Sequence, residues 1–186
     1  ASERYFKNNL PFATKTDTLE NIKLAIDHVK SQYTWSGDYR LLTDIKATDF
    51  VAQKKGDSSD KNLFAIGLLN TMGINAQPVL ISTRNHGRIK SDYPFVDAFN
   101  HTLIYVKVGT TDYLLDTTDP YCPFGLLPLQ CINNKGYIVD NKNSDNWVTL
   151  NKAKPSMVYY EITQIPNPDV DSVLTSINAK ANHYDA

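Results

Sequence analysis

Only two cysteines and four histidines occur among the 186 residues, which leaves little material for a disulfide framework or a metal centre. Cys122 and Cys131 can pair with each other, but two cysteines make no framework, and neither has the C-x-x-C neighbour that zinc sites use. His28, His86, His101 and His183 are scattered without metal-ligand spacing. The stretch "NPDVDS" holds too few carboxylates for a calcium loop, so neither a metal nor a cofactor is expected. Charge of one sign is also missing. With 19 basic against 20 acidic residues and a net charge of −1, the chain lacks the electrostatic footprint of a nucleic-acid or anionic-membrane binder. No apolar run approaches the roughly 18 to 20 residues of a membrane span, and no export signal precedes the first helix. Repeats and low-complexity tracts are absent, and the chain opens at Ala1 without a methionine, as an excised piece would.

What is present fits a globular protein, with 41% hydrophobic and 21% charged residues. Residues 1–16 are mixed and polar and read as a leading segment. Asp17 or Thr18 can cap the helix that follows, where Leu19, Ile22, Ile26 and Val29 recur at three- and four-residue spacing and mark one buried face. Trp35 lies just beyond its end. A second, short helix is predicted from Thr48 to Lys54, stopped by Gly56. A third begins near Ser58, carries Leu63, Phe64, Ile66, Leu68, Leu69 and Met72, and ends at Gly73, which suits the left-handed C-terminal position. It is apolar on too many sides for a surface helix, so its N-terminus should open into the interior or a cleft.

Extended runs follow at Gln77–Thr83, His101–Val108, Tyr113–Asp116 and Gly136–Val139. The first two are separated by a loop from Arg84 to Ala98, long enough to carry function. From Trp147 the pattern changes to alternating strands without helices, as in "SMVYYEITQI", punctuated by Pro155, Pro166 and Pro168. The reading is therefore α+β: a core over residues 17–145 with a central helix on an antiparallel sheet, then the start of a following β-domain over 146–186.

The stretch "KKGDSSDKNLFAIGLLNTMG", Lys54 to Gly73, crowds two hydroxyls and two carboxylates onto the first turn of the third helix. Asp57 or Ser58 can serve there as an ordinary N-cap, and acidic groups suit the positive end of the helix dipole. A helix N-terminus is also where a nucleophile's anion is stabilised, provided that a base is supplied from elsewhere. The candidate base lies in "FNHTLIYVKVGTTDYLLDTTDP". A hairpin turning at Gly109 and Thr110 sets Val106 opposite Tyr113 and brings Asp116 onto the same face as His101, within diagonal reach of a histidine–carboxylate hydrogen bond. Hydroxyl, histidine and aspartate in that chain order are nucleophile, base and orienting group.

"GDSSDKNLFAIGLLNTMGINAQPVLIST", with "FNHTLIYV" and "YLLDTTDP", resembles the transglutaminase-like core of the papain-like superfamily, in particular bacterial multidomain proteins in which this core sits between β-domains. The resemblance spans roughly Leu19 to Val139. The family's helix motif, Gly-Asp-Cys-x-Asp-Lys before an apolar run and Gly-Ile-x-Ala, is matched at Gly56, Asp57, Asp60, Lys61, Gly73, Ile74 and Ala76. The resemblance implies His101 as the catalytic histidine, Asp116 as its orienting aspartate, amide hydrolysis or acyl transfer on a peptide or protein, flanking β-domains as neighbours, and export to the periplasm or cell surface.

The sequence departs from the family at its nucleophile, where Ser58 stands in place of cysteine. A thiol there becomes a thiolate beside a histidine and a helix N-terminus, whereas a serine hydroxyl needs His101 as a true general base. Cys122 and Cys131, which follow the hairpin, are not expected to substitute. The expectation is an inactive member, natural or engineered, with the altered triad Ser58, His101 and Asp116, and with Trp35, Asp57 and Ser59 lining the cleft. The alternatives are a non-catalytic module that binds a peptide or an adjacent domain and, more remotely, an S-x-x-K serine acyl enzyme on Ser58-Ser59-Asp60-Lys61 with Ser144-Asp145-Asn146 as its second motif.

Overall fold

The computed structural model of the chain describes residues 5–6, 10–90, 95–140, 146–150, 156–167 and 169–182. It divides into two units, Ala1–Lys152 and Ala153–Ala186. The first is α+β. Helix α1 (Thr18–Gln32) is capped by Asp17, whose carboxylate accepts the Glu20 N–H, and it buries Ile22, Ile26 and Val29 as their spacing predicts, with Ala25 beside them and Leu19 only half-buried. Helix α2 (Ala47–Gln53) ends on Lys54 in the left-handed conformation, φ 52°. Gly56 does not stop this helix. It pairs in a two-residue parallel bridge, β1 (Thr34–Trp35) with β2 (Lys55–Gly56), where a Cβ would lie 2.7 Å from both Asp60 Oδ2 and the Phe50 ring.

Helix α3 (Ser58–Thr71) is buried along most of its length, and Gly73 follows it at φ 78°, the left-handed position expected for it. Phe64, Leu68 and Leu69 pack into one core with α1 and with Ile104, Val106 and Leu115 of the sheet. Each such side chain contributes about 1.5–3 kcal/mol on burial. The leading segment contributes to this core as well: Phe6 is buried, its ring 4.6 Å from that of Phe64, although the polar composition of residues 1–16 gave no sign of it.

The sheet runs β5-β4-β3-β6-β7, with β3 (Ala76–Ile81), β4 (His101–Val108), β5 (Thr111–Leu115), β6 (Lys135–Ile138) and β7 (Trp147–Thr149). All its pairings are antiparallel. The β4–β5 hairpin has the predicted register, Val106 opposite Tyr113, with Gly109 and Thr110 in the turn. Strand β7 pairs with β6 and so completes the first unit's sheet. The division consequently falls after Lys152 rather than at residue 146. The second unit is a hairpin of β8 (Met157–Asn167) and β9 (Ser172–Asn182). Its paired residues Val158 and Ala181, Tyr160 and Ala179, and Ile162 and Ile177 share one apolar face.

Candidate functional site

Three elements of the first unit converge where α3 begins. Asp57 is the N-cap: its carboxylate accepts the Asp60 N–H at 2.9 Å, while Asp60 Oδ2 accepts the Asp57 N–H at 2.9 Å, a reciprocal capping box. Asp57 therefore serves the cap, with Arg40 Nε 3.7 Å from its second oxygen. Burial pushes its carboxyl up, only partly offset by the Asp60 N–H. Helical periodicity then places Ser58 and Asn62 one turn apart on the face turned toward the sheet, and both are fully buried.

His101 opens β4 opposite Ile81, and Asp116 immediately follows β5. The predicted contact forms: His101 Nε2 donates to Asp116 Oδ2 at 2.7 Å, with both side chains buried. Asn62 Nδ2 donates to the same oxygen at 2.9 Å and to the Thr102 carbonyl at 2.8 Å. Its Oδ1 accepts the Thr117 N–H at 2.9 Å and the Thr117 hydroxyl at 2.7 Å. The other Asp116 oxygen accepts the N–H of Thr118, at 2.7 Å, and its hydroxyl. Burial alone would raise the Asp116 carboxyl; the His101 bond and charge and the Thr118 donors outweigh it and hold the group down at about 2. Because an ionised carboxylate only accepts, Nε2 carries the hydrogen and Nδ1 is left as the free ring nitrogen. His101 Nδ1 is buried and has no hydrogen-bond partner among the described residues.

Ser58 does not fill that vacancy in hydrogen bonding. Its hydroxyl accepts the Arg40 N–H at 2.9 Å and donates to the Arg40 carbonyl at 3.3 Å. Its own N–H donates to the Asp38 carbonyl at 3.1 Å. Ser59, also fully buried, donates its hydroxyl to the Arg40 carbonyl at 2.5 Å. Residues 38–40 thus lie as a strap across the helix N-terminus. Tyr39 in the strap sets its ring edge-on to His101, 5.0 Å between centroids, and its hydroxyl is pushed up by burial. The strap continues to Leu41, whose carbonyl accepts the Thr102 hydroxyl at 2.7 Å. Trp35 braces it: the indole packs 5.0 Å from Tyr39 and donates to the Asp38 carbonyl at 2.9 Å. Trp35 and Ser59 therefore hold the segment that covers the site.

Lys61, the last residue of the S-x-x-K string, turns away from Ser58. Its buried ammonium donates to the Tyr33 carbonyl at 2.5 Å, and burial lowers it to about 8. Ser144 and Asp145 of the second motif lie outside the described residues. Cys131 follows the hairpin in the sequence, but the turn at Leu129–Cys131 returns its buried thiol to the pair. Cys131 Sγ, a His101 ring nitrogen and an Asp116 oxygen lie within 4.8 Å of one another. Burial and the Asp116 charge push this thiol well up, and burial raises Cys122 to about 11, so neither is set up as a thiolate. Cysteine, histidine and aspartate are a zinc-type donor set. Each Asp116 oxygen already accepts two hydrogen bonds, however, and that saturation makes the carboxylate a partner for His101 rather than a metal ligand.

No family model, curated protein or solved structure matches the chain. Among the described residues, no helix is long and apolar enough to cross a membrane.

Proposed function

We propose that the chain is a transglutaminase-like domain of papain-like architecture that no longer turns over substrate and instead binds a peptide or an adjacent domain. One observation carries the reading: the histidine–aspartate pair is built as a catalytic pair would be, while the group at the nucleophile position is a buried serine whose hydroxyl and N–H are both taken by residues 38 and 40. An oxyanion would need that N–H, and attack would need that hydroxyl released toward the free Nδ1. Both are spent on the chain's own carbonyls. A site that accommodates main chain at a helix N-terminus is suited to extended peptide, which is the basis for the binding role. The apolar face of the β8–β9 hairpin supports its assignment to a further β-domain, and the same reading implies an exported multidomain protein.

The wild-type chain should show no hydrolysis or transamidation of peptide substrates. Residue 58 in the Ser58→Cys variant should alkylate rapidly with iodoacetamide at about pH 6, where only a low-pKa thiol reacts, and should slow when His101→Ala is added. Peptide hydrolysis by the wild type that disappears in His101→Ala would overturn the non-catalytic reading. Equal, slow labelling with and without His101 would overturn the transglutaminase-like geometry itself.

A further inference from the structure

The connection from β3 to β4 borders a cavity of about 500 Å³ lined by Arg84, Gly87, Arg88, Ile132, Asn133 and Asn134. Cys131, in the same chain segment, lies beside the histidine–aspartate pair, but none of the cavity's residues belongs to that site. Its walls are fixed without using either arginine side chain. Ser82 Oγ and Asn133 Nδ2 both donate to the Gly87 carbonyl, at 2.9 and 2.7 Å. Asn133 Nδ2 also reaches the Ser82 carbonyl at 3.0 Å, and Asn134 Nδ2 donates to the Ile89 carbonyl at 2.9 Å. The Arg84 N–H donates to the Gln130 carbonyl at 2.9 Å. A cavity walled this way costs little to organise when a ligand arrives.

Two basic side chains of the lining remain uncommitted. Arg84 and Arg88 are exposed and make no ion pair or side-chain hydrogen bond among the described residues. No acidic side chain is among the described lining residues. Guanidinium forks match the flat, doubly accepting edge of a carboxylate or phosphate, and the volume falls in the range of small-molecule sites.

The geometry points to a binding site for a small oxyanion-bearing molecule, its phosphate or carboxylate group held by Arg84 and Arg88. The full chain is titrated calorimetrically with glycerol 3-phosphate, malate, inorganic phosphate and glycerol at matched ionic strength. Saturable binding of glycerol 3-phosphate or malate is expected, with glycerol silent, and whichever of the two binds tighter identifies the oxyanion. Arg84→Gln and Arg88→Gln, both surface changes, should each weaken binding about tenfold, the loss of one charge-assisted contact. Absence of saturable binding by any probe up to about 10 mM, the weak end of specific affinity, overturns the site. So does binding that is unchanged in the double arginine variant. Binding of glycerol as tight as that of glycerol 3-phosphate overturns the part given to the oxyanion.

Discussion

Replacing Asn62 by alanine tests whether the buried polar network holds the histidine–aspartate pair in place. Asn62 is fully buried and makes four hydrogen bonds: to the Thr102 carbonyl, to Asp116 Oδ2, and from the N–H and hydroxyl of Thr117. Alanine leaves the Thr117 N–H with no side-chain acceptor and takes one of four donors from a buried carboxylate. An orphaned buried group costs about 1–3 kcal/mol, and a bond to a charged group is worth about 1.5–3 kcal/mol. The two together predict a loss of roughly 3–5 kcal/mol, a large share of the 5–15 kcal/mol or so that holds a domain of this size folded. Asn62→Asp keeps the acceptor for Thr117 but sets a second carboxylate against Asp116, so it should cost at least as much. Ser31→Ala, which removes an exposed hydroxyl bonded to the His28 carbonyl, should stay within about 0.5 kcal/mol. Urea unfolding followed by circular dichroism reads each value as a shift in midpoint at constant slope. A cost below about 1 kcal/mol for Asn62→Ala, at unchanged slope, would refute the network's role.

Two further outcomes follow from the same geometry. The Asp116 carboxyl is held at about 2 in the fold against an ordinary 3.8, so its contribution is whole above pH 3.8 and is lost as pH falls toward 2. The loss is roughly 2 kcal/mol, and urea midpoints measured across that window should fall more steeply for the wild type than for Asp116→Asn. Gly56→Ala forces a methyl to within 2.7 Å of Asp60 and Phe50 and should destabilise by about 1–3 kcal/mol through overpacking, read from the same unfolding curves.

Local rules made much of the fold legible. The i, i+3, i+4 recurrence of Ile22, Ile26 and Val29 fixed the buried face of α1, and Gly73 marked the end of α3 because few other residues accept a positive φ. Glycine at 109 set the hairpin turn, and the turn set the register that joins His101 to Asp116. What depends on distant segments was not legible. Asn62 is a polar residue on a mostly apolar helix, and nothing in its local sequence marks the strand it meets. Cys131 returns to the pair through a turn that carries no periodic signal. The 38–40 strap could not be foreseen, since its hold is main-chain atoms bonding to serine hydroxyls, and main chain has no sequence signature. Alternation identifies residues 147–149 as a strand but not the sheet it joins, which is that of the first unit.

Serine at position 58 does for the strap what a thiol cannot. Its hydroxyl accepts from the Arg40 N–H and donates to the Arg40 carbonyl, while Ser59 donates to the same carbonyl; a cysteine sulfur is weak in both roles. The two serines therefore lock the strap across the start of α3. Arg40 supplies the probe, because its side chain is exposed and offers a trypsin cleavage point whose main chain is tied down by both serines. The Ser58→Ala, Ser59→Ala double variant removes three hydrogen bonds at about 1 kcal/mol each. When opening is fast relative to cutting, cleavage follows the population of the open state, so a strap loosened by about 1.5–3 kcal/mol should be cut after Arg40 roughly 10- to 100-fold faster. Mass spectrometry identifies the cut. Unfolding midpoints measured on the same variants separate a local opening from global destabilisation. A cleavage rate that matches wild type after Arg40 would show that the strap is held by Tyr39 and Trp35 packing alone, and the serines would then have no part in closing the site.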